Sequence, residues 1–343
     1  GRPATACDDR TQFDSEERFE VDAAGMTQSK PTSIAVLALN PAVDISYEIP
    51  QLIPDKKVRS VKTRYHPGGN GINVARALAE LAIPLRCCSI IGGESGNLLL
   101  RLLGDTLGES PRYFEVEGET RLNATLLQKH PPSQYEVDSV GPEIPSDTFK
   151  ALTNCFLETC DDGSGILTGS TPLGVPDDAY RELAERIREQ DGKAVVDAHG
   201  PALQNALEAK PYLVRLNRYG LEMTIKRRLE TLESVARAAR EIKNRGIELV
   251  CISLGPEGAI LVDEANSYHC SAPRVRVHST VGCGDAMVAG MVAEAYRGGD
   301  PQAMLRLGVI CGSATASYPG TALFSREEVE EASYDLDVQV MDI

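Results

Sequence analysis

The chain has 343 residues, 42% hydrophobic and 25% charged, the composition of a soluble globular protein with room for a substantial core. Its formal charge of −15 argues against nucleic acid as a partner, because a phosphate backbone needs a positive counter-surface. No apolar run approaches the roughly 20 residues that span a bilayer, so no membrane partner is expected.

Residues 1–31 read as a flexible acidic N-terminal extension (Asp8, Asp9, Asp14, Glu16, Glu17) without the apolar core of a signal peptide, and Met26 is available as a natural start. From Ile34 the pattern alternates short apolar strands with amphipathic helices. Strands are expected at 34–39, 86–91, 165–168, 194–197, 212–216 and 249–254. Helices are expected at 71–81, 96–107, 178–189, 201–208, 231–245, 284–297, 301–316 and 326–333. This alternation predicts an α/β fold in three layers, a doubly wound, mostly parallel sheet with helices on both faces. The stretches 44–66 and 119–139 alternate polar and apolar residues and read as strands of a small inserted sheet, a lid over the 32–343 domain. The nine cysteines include no CxxC pair and read as reduced thiols of a cytoplasmic protein. The five histidines show no HxxxH or HExxH spacing, so zinc is not expected.

The most informative segment is Ser279–Gly290, STVGCGDAMVAG. A β-branched, strand-like lead-in (275–277) meets a glycine-flanked turn, and Asp285 stands where an apolar helix begins. The first amides of a helix lack intrahelical partners and carry the positive end of the dipole, so they bind anions. Gly282 and Gly284 let that backbone approach a phosphate closely. A carboxylate beside such a turn can accept a proton from an alcohol while the amides stabilise a transferring phosphoryl group. Asp is also a favoured helix cap, so the residue types alone leave both roles open.

No GxxxxGK[ST] run occurs, and no GxGxxG follows the first strand, which argues against a P-loop protein and a dinucleotide dehydrogenase. Residues 67–76, PGGNGINVAR, instead bring a glycine-rich approach to a helix with Asn73 in its first turn. They suit either a plain loop or recognition of sugar hydroxyls.

In order along the chain stand Asn40-Pro-Ala-Val-Asp44, Gly68–Arg76, Thr168-Gly-Ser170-Thr-Pro-Leu-Gly174, Ser253-Leu-Gly255-Pro-Glu-Gly258 and Thr280-Val-Gly282-Cys283-Gly284-Asp285. These five motifs resemble those of the ribokinase-like (PfkB) carbohydrate kinases over about residues 34–335. The branch most similar phosphorylates sugar phosphates: 1-phosphofructokinases, minor bacterial 6-phosphofructokinases and tagatose-6-phosphate kinases. The resemblance implies a small-sheet lid that forms a homodimer interface, with ATP, Mg²⁺ and, as a weaker transfer, K⁺ as cofactors.

Carried over residue by residue, Asp285 matches the catalytic base, and the amides of Gly282, Cys283 and Gly284 match the anion hole. Asp44, Gly69, Gly71 and Asn73 match positions that hold sugar hydroxyls. Lys57, Arg59 and Arg121 match positions for the substrate's own phosphate, and Ser170 is a further substrate-binding candidate. Arg121 is expected on the opposite face of its strand from Asn123. Arg215, Asn217, Ser253, Gly255 and Gly258 match nucleotide positions, with Val309 and Ser313 on the adenine side. Ser279, Val281 and Gly320 fall where some relatives bind a monovalent cation.

Three departures stand out. Cys283 replaces the usual Ala or Ser, Arg215 replaces a Lys, and Gly220 occupies the place of a metal-organising Glu, for which Glu222 is a partial substitute. The resemblance implies ATP-dependent phosphorylation of a ketohexose phosphate, fructose 6-phosphate to fructose 1,6-bisphosphate first among candidates. A non-catalytic sugar-phosphate sensor is the alternative of another class.

Overall fold

Five consecutive buried residues form strand β1 (Ile34–Ala38), as a run of aliphatic residues covered on both faces requires. The computed structural model describes residues 33–160, 163–332 and 336–342, so the acidic extension expected at 1–31 lies outside the described residues. After β1 come β2 (Ala42–Ile49), β3 (Lys62–Gly68), α1 (Asn70–Glu80), β4 (Leu85–Ile91), α2 (Gly93–Leu103), β5 (Pro111–Glu115), β6 (Arg121–Gln128) and β7 (Ser133–Val137). Then follow α3 (Ser146–Thr159), β8 (Ser164–Thr168), α4 (Ala179–Glu189), β9 (Lys193–Asp197), α5 (Gly200–Glu208), β10 (Leu213–Asn217), α6 (Arg218–Ile225), α7 (Leu232–Lys243) and β11 (Leu249–Ser253). A 3₁₀ turn (Gly255–Glu257) leads to β12 (Ala259–Val262), β13 (Ser267–Cys270), α8 (Cys283–Tyr296), α9 (Pro301–Ala316), α10 (Arg326–Ala332) and β14 (Val338–Val340).

The main sheet has ten strands in the order β14-β13-β12-β11-β10-β9-β8-β1-β4-β5. Neighbours from β5 across to β11 run parallel, and β12, β13 and β14 add an antiparallel edge. Successive side chains point to opposite faces, which separates two cores. Val36, Ile166 and Cys251 pack with α1, α8 and α9, whereas Leu37, Leu167 and Ile252 pack with α3, α4, α5 and α7. The three-layer arrangement expected from the sequence is therefore present. Strand order reverses between β8 and β1, and ligands of open α/β sheets bind outside the carboxyl ends at such a point.

The small sheet, ordered β3-β2-β6-β7, is built from the two stretches whose alternation set them apart. Its pleat turns Asp44, Ser46, Asn123 and Thr125 to one face and Ile45, Tyr47, Leu122 and Leu126 to the other. Tyr65, Leu122, Tyr135 and Val137 leave the apolar face open to solvent. Arg121 and Asn123, two residues apart, share a face, which corrects the expectation that they oppose each other: the side-chain period of a strand is two.

Several elements differ from expectation. The lead-in at 275–277 is irregular rather than a strand, and Val277 is exposed. Helix α2 runs over 93–103 rather than 96–107. Strands β5 and β12 to β14 and helices α3 and α6 are additional to the expected elements. Among the described residues no helix is long and apolar enough to cross a membrane.

Candidate active site

Helices α1 and α8 begin side by side, and their first turns meet at Asp285. Gly282 caps α8 in the left-handed region (φ 80°), which only glycine adopts without strain, and turns the following amides outward. Asp285 is 4% exposed. Asn70 donates to its Oδ1 at 2.8 Å and Asn73 to its Oδ2 at 2.9 Å. Burial, reinforced by the negative charge of Asp197, pushes the Asp285 carboxyl up to about 7, against the pull of both asparagines and Arg215. A carboxyl poised near neutrality can exchange a proton with an alcohol. Burial pushes the neighbouring Cys283 thiol up to about 12, which leaves it neutral.

Arg76 fixes this corner by donating to Pro67 O, Asn73 Oδ1 and Thr321 O. Beneath the small sheet, Asp44 is buried and accepts from Asn123 at 3.0 Å and Thr321 at 2.8 Å. Burial raises its carboxyl, with the two hydrogen bonds opposing. A Cβ on Gly68 would fall 2.1 Å from Asp44 Oδ2, so this glycine makes the room that the carboxylate occupies. Gly69 and Gly71 are closely packed as well, since Cβ atoms there would meet Asn40 O at 2.8 Å and Ala38 Cβ at 2.6 Å.

At the β1/β8 reversal, Asn40 donates to Ser170 Oγ at 2.9 Å and its carbonyl accepts from Arg121 Nε at 3.2 Å. The chain thus gathers Arg121 and Ser170 around Asn40. Lys57 and Arg59 instead lie exposed in the β2–β3 connection.

On the far side of Asp285, Arg215 bridges three strands, donating to Asp197 at 3.2 Å and Ser253 at 3.0 Å. Its guanidinium lies against the first turn of α8, where a Cβ on Gly284 would come within 2.3 Å of Nη2. Asn217 caps α6 by accepting from the Gly220 amide at 2.7 Å. Glu222, the partial substitute expected for the glutamate missing at Gly220, accepts from the Leu229 amide at 2.8 Å, which ties one of its two oxygens to a loop. Gly258 has φ 89° and no room for a Cβ beside Cys270 O, and Gly255 (φ 60°) turns openly. Val309 is buried in the helical core, while Ser313, one turn on, is half-buried. Ser279 is buried beside the end of α9, its amide meeting Ala316 O, and Gly320 sits against Ser46 and His66.

Asn40, Asn70, Asn123, Asp197 and Thr321 belong to this constellation without having been singled out. The signal for Asp197 was its place at the carboxyl end of a parallel strand, on the edge where such sheets bind ligands. One of its oxygens, Oδ2, is buried without a partner among the described residues, as is Arg215 Nε.

A buried carboxylate in the first turn of a helix, beside a glycine-flanked turn at the carboxyl edge of an open α/β sheet, is an arrangement suited to phosphoryl transfer. The model of the pfkB family of carbohydrate kinases matches residues 34–328, and the chain belongs to that family. It is therefore a phosphotransferase with a sugar alcohol acceptor. Among curated relatives, ATP-dependent 6-phosphofructokinase isozyme 2 of Escherichia coli is 34% identical over 302 residues, covering 87% of this chain and 97% of the relative. The 1-phosphofructokinase of Bacillus subtilis is 30% identical, covering 82% and 92%. The solved phosphofructokinase-2 of Escherichia coli with substrates and products superposes with a TM-score of 0.83 at 32% identity, covering 88% of this chain and 98% of that one. The same enzyme has been solved with potassium, at a TM-score of 0.81 and 32% identity over 89% and 98%.

Proposed function

We propose that the protein transfers the γ-phosphoryl group of ATP to a ketohexose phosphate, with fructose 6-phosphate as the preferred acceptor. The observation that carries this reading is Asp285, buried, raised to about 7 and seated on the anion-binding turn of α8. The names of the 34% and 30% identical relatives support a phosphorylated ketohexose. In this reading Asp285 takes the proton of the acceptor hydroxyl. The oxygen attacks the γ-phosphorus in line, the bond to ADP breaks, and the amides of Gly282 to Gly284 stabilise the transferring charge.

Asp44, Asn73 and Asn123 hold the sugar hydroxyls, and Arg121 with Ser170 holds its phosphate. Arg suits that task because its planar fork donates two parallel bonds. Arg215, Asn217, Ser253, Gly255, Gly258 and Ser313 form the nucleotide side. The unpartnered Asp197 Oδ2 fits a hard cation, which takes one or two carboxylates alongside phosphates and water. Asp197 would thus hold Mg²⁺, which supplies charge neutralisation on the phosphates. The backbone oxygens of Ser279, Val281 and Gly320 would hold K⁺. The Ser279 carbonyl fits, since it faces only a weak thiol donor, Cys283, at 3.9 Å. The apolar outer face of the small sheet makes a homodimer interface. A coupled ADP-release assay across fructose 6-phosphate, fructose 1-phosphate, tagatose 6-phosphate and free hexoses tests the reading. No turnover with any acceptor returns the sensor alternative, and turnover with free hexoses alone removes the phosphorylated substrate.

A further inference from the structure

Helices α1 and α8 are tied at both ends. At their beginnings, Asn70 and Asn73 hold Asp285. At their ends, Arg297, the C-cap of α8, donates to the carbonyl of Leu81, the C-cap of α1, at 3.0 Å. Against this second tie lies a cavity of about 270 Å³, with Arg297, Arg306 and Arg326 converging on it from α8, α9 and α10.

We propose that this cavity binds a small organic polyanion and that its occupancy is felt at Asp285 through α1 and α8. Each guanidinium has five donors, and few are used here. Arg306 gives Nε to Leu336 O at 2.9 Å, and its two terminal amino groups have no partner among the described residues. Arg326 gives Nε to Glu330 at 2.5 Å. Among the described residues the lining sets three arginines against Glu294, which faces Arg297 at 3.9 Å, and Glu330, so one positive charge stays in excess on a chain of formal charge −15, while Glu80 accepts from the Arg326 amide beside it. Leu307, Ile310 and Val329 add an apolar wall for a carbon skeleton. Ligand pockets usually measure roughly 300–1,000 Å³, so this one is too small for a nucleotide. It suits a tricarboxylate or a phosphorylated three-carbon acid, whose shared chemistry is two or more negative charges on a short skeleton. The site stands apart from the cleft, and its binding test needs no kinase activity.

Calorimetric titration of the full chain with citrate and, separately, with phosphoenolpyruvate tests the site. Binding of either probe is expected, weakened about tenfold or more in Arg306→Gln and in Arg326→Gln, because a charge-assisted bond is lost. Arg326 is exposed, so its variant keeps the fold if Arg306→Gln does not. No binding of either probe overturns the proposal. So does equal weakening by Arg121→Ala, which puts the anion in the cleft. The coupling is read as a change of about fivefold or more in the acceptor KM when the bound probe is added, absent in Arg326→Gln. Binding without that change overturns the coupling. A chain inactive as a kinase that still binds through these arginines overturns only the function proposed above.

Discussion

Asn73 donates to Asp285 across 212 positions of sequence, and the 2.9 Å bond joins the first turns of two parallel helices. Arg76 in turn donates to Asn73 Oδ1, which fixes the amide so that its NH₂ faces the carboxylate. The acid is thereby aimed without being neutralised by a cation in direct contact, and burial keeps its proton affinity high.

Asp285→Asn should cut kcat by about 10²–10⁴, the usual contribution of a positioned general base. Folding should survive, because Asn70 can turn its amide to match the new side chain, though Asn73 is held by Arg76. Steady-state kinetics with a thermal melt checks both. Turnover near that of the wild type would leave Asp285 a helix cap.

The pH profile follows from the raised carboxyl. Asp285 must be ionised to accept a proton, so kcat/KM should fall tenfold per pH unit as pH drops below about 7. Asp197→Asn removes a repelling charge and frees Arg215, and both changes favour the ionised form. The acidic limb should therefore move to lower pH, while the Mg²⁺ requirement rises. A limb that stays in place shows that Asp197 does not act on Asp285. For stability the sign is opposite to that of a salt-bridged acid. A carboxyl raised in the folded state lowers stability as pH climbs from about 4 to about 7.

Gly220→Glu should lower the Mg²⁺ concentration for half-maximal rate, since Glu222 is engaged with the Leu229 amide. The new Cβ would lie 3.2 Å from Asn217 Oδ1, tight enough to need a small shift of that cap. An Mg²⁺ titration that does not change means that Asp197 and the phosphates suffice.

Arg121→Ala should raise the acceptor KM about tenfold to a hundredfold, the loss of a charged hydrogen bond worth roughly 1.5–3 kcal/mol. The KM for ATP should barely move, because Arg121 and Ser170 meet at Asn40, on the lid side of Asp285. Equal effects on both constants would make Arg121 a support for the Asn40 loop instead.

Leu122→Asp should convert a dimer to a monomer in sedimentation velocity. Leu122 is 45% exposed at the start of β6, on the same apolar face as Tyr65 and Tyr135, where a charge cannot be buried against a second copy. An unchanged mass would place the interface elsewhere.

The three layers, the small sheet and the glycine-flanked turn before α8 are legible in the amino-acid sequence. Each of these is written in local pattern: apolar runs for β1 and β8, helical spacing for α1 and α7, strict alternation around Asp44 and Arg121, and two glycines before Asp285. Short edge strands such as β13 and the irregular segment before Ser279 were harder, because so few residues carry a reliable period. Which side chains meet depends on how distant elements pack. Arg215 and Asp197 sit on neighbouring strands because of the sheet order, and Asn70 finds Asp285 because two distant helices start at one point. Glu222 stands two residues past the place of the glutamate that the family resemblance implies, and the turn of α6 brings one of its oxygens to the Leu229 amide. The raised proton affinity of Asp285 likewise belongs to no residue alone, since desolvation comes from everything packed around the carboxylate.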